Sequence, residues 1–178
     1  HEEGVLYAGS DDGLLHITKN GGESWENITP PGIKDGIINS IDISQHNPAT
    51  AYVVIMRYKS MDLNSHIFKT NDYGQTWTKI VKGLNDPNGF ARVVRADKKQ
   101  QGLLYAGTET GLYVSNDDGA FWQRLKLNLP VVAINDLIIQ DNDLVAATSG
   151  RGFWILDDLG ALQNNSRYSK AIEMGTPK

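Results

Sequence analysis

The chain contains no cysteine. Disulfides, thiolate zinc sites, iron–sulfur clusters and a cysteine nucleophile are therefore excluded. No apolar run approaches the ~18–20 residues that a membrane-spanning helix needs, so no membrane span is expected. Runs of Lys or Arg are absent too, and 17 Lys+Arg against 21 Asp+Glu leave a net charge of −4. A nucleic-acid binder needs a basic face, so no nucleic-acid partner is expected. Histidines are few: His1, His16, His46 and His66, none at metal-ligand spacing from another. No metal site and no cofactor are expected. His16 and His66 fall in strand-like runs and read as packing or surface residues. A Gly-x-Ser-x-Gly elbow, a phosphate loop and a dinucleotide fingerprint are all missing. The opening HEEGVLYAGS has neither initiator Met nor signal peptide. The chain is therefore expected to be a processed product or a piece of something longer.

What is present is a 40% hydrophobic share, enough for a core, in 178 residues. The chain also repeats itself. TKNGGESW (Thr18 to Trp25), TNDYGQTW (Thr70 to Trp77) and SNDDGAFW (Ser115 to Trp122) align with one another. Two short apolar runs precede each. They are VLYAG and GLLHIT in the first unit, AYVVIM and HIFKT in the second, LLYAG and GLYVS in the third. DLVAAT and GFWIL form a worn fourth unit, whose LDDLGALQ keeps Asp158 and Gly160 but has lost the hydroxyl residue and the Trp. Another strand-like run, IINSIDI, ARVVRA or AINDLII, opens units two to four. Four short runs per unit at a period of ~40–50 residues predict four-stranded antiparallel blades of an all-β propeller.

The expected blades are 4–29 (partial), 37–81, 90–126 and 133–163, with 164–178 as a C-terminal tail. Three arrangements fit: part of a larger, for example seven-bladed, ring; a four-bladed ring closed by a strand from Arg167 to Met174; or two chains completing one ring. The first is favoured, with self-association of the isolated piece, because an open arc leaves apolar blade faces in water.

The repeated box has a local physical reason at each position. Asn20, Asp72 and Asp117 carry short oxygens that accept backbone N–H groups in a tight turn. Gly22, Gly74 and Gly119 supply positive φ. Thr18, Thr70 and Ser115 bond the same turn, and Trp25, Trp77 and Trp122 are anchors between units. These residues are read as structural, since a ring of equivalent boxes is not one converging site.

These segments resemble Asp-box, or BNR, repeats. TNDYGQTW matches the family pattern in full, whereas the first copy departs at Asn20 and the third at Phe121. The resemblance spans roughly residues 4 to 163. It is shared by sialidases, xyloglucanase-type glycoside hydrolases, the luminal domain of sortilin and a photosystem assembly factor. The stretch from Gly102 to Leu159 is most similar to large bacterial sortilin- or xyloglucanase-like proteins labelled as glycosyl hydrolases. The resemblance implies a propeller, and an extracytoplasmic location by the habit of the group. It leaves function open between a non-catalytic scaffold that binds protein or glycan and part of a glycoside hydrolase.

Candidates for ligand contact lie in the loops. Asp11, Asp12 and Glu109 are the carboxylates that could serve glycoside hydrolysis, although Asp11-Asp12-Gly13 is also a good turn sequence. Arg151, between Gly150 and Gly152, can offer its fork to a carboxylate or sulfate, or form a loop-to-strand salt bridge. Tyr58, in the long loop of the second unit, is a platform for a sugar ring. No catalytic motif is recognised, so no catalytic residue is assigned. Asn27-Ile28-Thr29 and Asn164-Asn165-Ser166 match the glycosylation pattern and are read as chance.

Overall fold

The computed structural model describes residues 2–126 and 128–164. The expectations for His1 and for a strand from Arg167 to Met174 lie outside the described residues. Four antiparallel sheets follow one another along the chain. Blade one has β1 (Leu6–Gly9), β2 (Leu15–Thr18) and β3 (Glu26–Asn27). Blade two has β4 (Ile37–Ile43), β5 (Ala51–Met56), β6 (Ile67–Thr70) and β7 (Thr78–Lys79). Blade three has β8 (Ala91–Ala96), β9 (Leu104–Thr108), β10 (Leu112–Ser115) and β11 (Gln123–Arg124). Blade four has β12 (Ile134–Gln140), β13 (Asp143–Thr148) and β14 (Phe153–Leu156). Each sheet is a meander in chain order, and the whole is a partial β-propeller.

Blade four departs from the expected four runs. Leu156 stands where the other boxes have a hydroxyl, so the turn lacks the hydroxyl-centred bonds of the other boxes and is held by Asp158, which accepts the Asn142 side-chain amide and the Gly160 N–H. The chain instead enters a short helix, α1 (Gly160–Gln163), and buries Leu159 and Leu162 against blades three and four.

Three apolar layers hold the blades together, one per blade junction. Leu15, Ile17 and Ile28 of blade one meet Val53, Ile55 and Phe68 of blade two. Tyr52, Val54 and Ile67 meet Ala91, Leu104 and Trp122. Tyr105, Leu112 and Val114 meet Ile134, Leu137 and Leu144. Burial of a Leu, Ile or Val side chain is worth about 1.5–3 kcal/mol, so these layers supply most of the cohesion. The outermost faces lack such a neighbour among the described residues. Phe153 and Ile155 are 78% and 61% exposed, while Leu112 and Val114, at the same register in blade three, are 3% and 1% exposed.

Size is matched across the junctions. A Cβ on Gly9 would lie 2.3 Å from Ile38, and one on Gly107 would lie 2.6 Å from Ile134. At the same register in blade two stands Val54, and its partner position in blade three is Ala91. Bulk on one side is thus offset by its removal on the other.

β4, β8 and β12 form the inner rim, joined side chain to backbone. Asn39 Nδ2 donates to the Arg92 carbonyl (2.7 Å), and the Ala96 N–H donates to Asp42 Oδ2 (2.7 Å). Arg95 Nε donates to the Leu137 carbonyl (2.8 Å) and Lys98 Nζ to the Ile139 carbonyl (2.6 Å). The described residues contain no helix long and apolar enough to cross a membrane.

Candidate functional site

Alternating strand direction separates two ends of each blade. The box turn, between third and fourth strands, lies at one end. The loop between second and third strands lies at the other, together with the connection into the next blade.

At the box end the three turns have the same bonding. The hydroxyls of Thr18, Thr70 and Ser115 donate to Asn20, Asp72 and Asp117 at 2.7–2.8 Å. The same hydroxyls accept the N–H of Gly22, Gly74 and Gly119 at 2.8–3.0 Å. The acid or amide oxygen then accepts the N–H of Ser24, Thr76 or Phe121 at 2.9–3.0 Å. Asp72 gains a further bond from the Thr76 hydroxyl, and with the Thr76 N–H this holds its carboxyl down at about 2. Its acceptor sites are taken up by groups of the same turn. The residue before each glycine, Gly21, Tyr73 or Asp118, is also left-handed (φ 71°, 59° and 60°).

Trp77 Nε1 donates to the Ile28 carbonyl (2.7 Å) and Trp122 Nε1 to the Ile80 carbonyl (2.9 Å), each in the preceding blade. Trp25 departs from the expected anchor role. No blade precedes it among the described residues, and it is 45% exposed.

A polar cavity of about 240 Å³ also opens at this end, between blades two and three. Its groups bond one another: Tyr52 Oη donates to Asp118 (2.6 Å), Lys69 pairs with Asp118, and Thr50 bonds Asn71. Burial, then the Asp118 bond, raises the Tyr52 pKa.

The loop end carries the other candidates, and the structure brings two of them together. The Tyr58 ring stacks on Phe90, with centroids 5.8 Å apart and planes 14° from parallel. The Arg92 guanidinium lies 5.7 Å from the Phe90 centroid and forms an ion pair with Glu109. The Glu109 N–H closes the circle on the Phe90 carbonyl (3.1 Å). Arg92 reaches this place because it is the bulged residue at the start of β8, where register shifts between Ala91 and Val93. Asn39 and Asn135 sit at the same bulge in β4 and β12. A bulge re-aims its side chain toward the rim of the sheet.

The loop bearing Tyr58 is clasped by charge. Arg57 binds Asp35 (2.7 Å) and Asp62 (2.9 Å), and Ser60 Oγ donates to Asp35 (2.8 Å). His66 Nε2 meets Asp62 (2.9 Å), and Lys79 Nζ lies 3.2 Å from His66 Nδ1. Burial would raise the Asp62 pKa, but the Asn64 N–H and side-chain amide and then His66 outweigh it and hold the carboxyl at about 2. Burial, then Lys79, lowers the His66 pKa. Within this clasp Tyr58, Met61 and Leu63 stay 40%, 87% and 38% exposed.

The remaining candidates stand apart. Asp11 and Asp12 are exposed on the blade-one loop, where Asp12 accepts the Ser10 hydroxyl, lowering its pKa. Arg151 is exposed on the blade-four loop and its carbonyl accepts Trp154 Nε1 (3.1 Å). The expected salt bridge is not formed: among the described residues Arg151 has no ion pair, because the left-handed Gly150 and Gly152 (φ 80° and 70°) turn the loop tip into solvent. No group of three or more His, Asp or Glu that could hold a metal occurs among the described residues. Sequence reading missed Phe90 and Arg92, the two residues that join Tyr58 to Glu109.

No family model and no curated protein matches the chain. Solved structures do. A YCF48 protein bound to D1 peptide has a TM-score of 0.64 and 22% identity over 86% of this chain and 48% of that one. The GH74 enzyme of Niastella koreensis scores 0.66 at 16% identity, over 88% of this chain and 27% of that one. The GH74 xyloglucanase of Xanthomonas campestris scores 0.65 at 15% identity, over 88% and 28%. The chain thus spans about half of the YCF48 protein and about a quarter of the GH74 enzymes. At these identities the likeness concerns the fold.

Proposed function

We propose that the chain is a non-catalytic Asp-box (BNR) propeller module, extracytoplasmic and part of a larger protein, whose loop end is a binding surface for a protein partner. The blades are 4–29, 37–81, 90–126 and 133–163. The observation that supports this best is the Tyr58–Phe90–Arg92–Glu109 cluster. Glu109 is paired with Arg92, and a carboxylate held by a guanidinium is a poor general acid, which argues against a role for it in glycoside hydrolysis. Beside it, Met61 and Leu63 project from a pinned loop. Exposed aliphatic side chains suit apolar protein side chains, and methionine adapts to varied partners. The YCF48 neighbour, a propeller bound to a peptide of D1, is a precedent for peptide binding on this fold.

A second reading is part of a glycoside hydrolase, sharing its site with blades not present here. The half-exposed Tyr58 ring, backed by Phe90, is the observation in its favour. The GH74 neighbours are precedents on the same fold. Tyr58→Ala and Met61→Ser separate the two. Under the binding reading, both variants weaken capture of partner proteins from the native host and neither changes xyloglucan binding. Xyloglucan retention or hydrolysis lost in Tyr58→Ala and kept in Met61→Ser contradicts that reading and supports the second.

A further inference from the structure

Of the chain's three methionines, Met174 lies outside the described residues, and the other two stand close in sequence with opposite exposures. Met56 closes β5 and is 6% exposed, whereas Met61 is 87% exposed at the tip of the clasped loop. A thioether is oxidised where an oxidant can reach its sulfur, so burial sets the two apart.

The loop holds Met61 outward. A single 3-10 turn, Tyr58–Ser60, follows Arg57, whose carbonyl accepts the N–H of Ser60 (2.9 Å) and of Asp62 (3.2 Å). Between them Met61 reverses the chain at φ 60° and ψ 18°, its N–H bonded to the Tyr58 carbonyl (3.0 Å). That left-handed conformation suits glycine, asparagine or aspartate, and it is costly for a long side chain such as methionine's. Asp118, Asp141 and Asp158 take it elsewhere in the chain. The sequence thus keeps a strained, exposed thioether where a glycine would fold more easily, and strain of this kind clusters at functional positions.

The clasp does not depend on that side chain. Arg57, Asp35, Asp62, Ser60 and His66 bond one another, and among the described residues no bond that pins the loop uses the Met61 thioether. A change at its sulfur therefore alters the chemistry of the loop end and leaves its geometry in place. Sulfoxide formation converts a flexible apolar side chain into a polar one. On a surface that takes apolar groups of a partner, this removes the driving force of the contact.

We propose that Met61 is a reversible oxidation site that switches the loop-end surface off. Hydrogen peroxide transfers one oxygen to the Met61 sulfur. The O–O bond breaks, the S–O bond forms, the sulfur is oxidised by two electrons and the peroxide is reduced to water. A methionine sulfoxide reductase reverses the step with a dithiol, which becomes a disulfide as the oxygen leaves in water. The inference rests on the binding reading of this surface, and its test separates the two.

The full chain is treated with hydrogen peroxide, freed of it, and mapped by mass spectrometry after trypsin, for which Arg57 and Lys59 separate the two methionines. The Met61 peptide gains one oxygen about tenfold or more faster than the Met56 peptide, and the urea midpoint stays where it was. The oxidised chain then captures host proteins several-fold less than the reduced chain, and reductase treatment restores the same bands. The supporting result is this loss and its return, not capture itself. In Met61→Leu, whose own level of capture is the reference, peroxide causes no such fall. Equal oxidation of Met56 and Met61, a lowered urea midpoint, undiminished capture with Met61 oxidised, or an equal fall in Met61→Leu overturns the proposal and leaves the binding reading standing. Absence of any capture by the reduced chain overturns that reading, and the proposal with it.

Discussion

Trp122 donates its indole N–H to the carbonyl of Ile80, 2.9 Å away in the preceding blade. The glycine three residues earlier presses on that same isoleucine: a Cβ on Gly119 would lie 2.5 Å from Ile80 Cδ1. Trp77 and Gly74 treat Ile28 in the same way. The box is therefore a turn that also locks one blade to the last.

Gly74→Ala and Gly22→Ala separate these two duties. Both positions are left-handed, with φ of 86° and 102°, so both variants bear backbone strain. Only the first also overlaps a neighbour, since Gly22 has no non-neighbouring atom nearer than 4.0 Å. Gly74→Ala should cost about 1–3 kcal/mol more than Gly22→Ala in urea unfolding, the range for overpacking.

The Gly9–Ile38 junction offers a reciprocal test, with Val54 and Ala91 as the natural template. Gly9→Val alone clashes, and Ile38→Ala alone leaves a cavity. The double variant restores the volume, so its destabilisation should fall short of the sum by about 1 kcal/mol or more. Simple additivity would show that the two do not touch.

Acid should loosen the boxes. The Asp72 carboxyl is held at about 2, below its ordinary value near 3.8. A depressed acid contributes stability at pH above its unfolded value, and loses it as pH falls from about 5 toward 2. Asn20 fills the same place in the first box and accepts the same Ser24 N–H. Asp72→Asn should therefore fold and show a shallower loss of stability over that acid range, with the slope read from urea midpoints against pH.

The repeat was legible because a box places Thr or Ser, Asp or Asn, Gly and Trp at fixed spacing for reasons local to one turn. Tyr58 and Glu109 were also visible one at a time, each in a loop. Their meeting was not, because it depends on Arg92 being the extra residue of a bulge, and ARVVRA shows no sign of a register shift. Phe90, just before ARVVRA, carries no motif that would single it out, and it is the buried plate between them. α1 was hidden for another reason. Leu159 and Leu162 are two apolar residues in a worn box, and only the open space beside blades three and four draws them inward. Trp25 looks like its two counterparts in sequence, and differs because no blade precedes it among the described residues.

The central claim is that the repeated residues act as inter-blade structure and not as a reaction site. The most direct test is the unfolding free energy of Trp25→Ala, Trp77→Ala and Trp122→Ala in urea. Trp122 is 1% exposed and Trp25 is 45% exposed. The account predicts a loss of about 3–5 kcal/mol for Trp122→Ala, a smaller loss for the partly buried Trp77, and under about 1 kcal/mol for Trp25→Ala. Equal losses at all three, or a Trp122→Ala chain as stable as the parent, would contradict it.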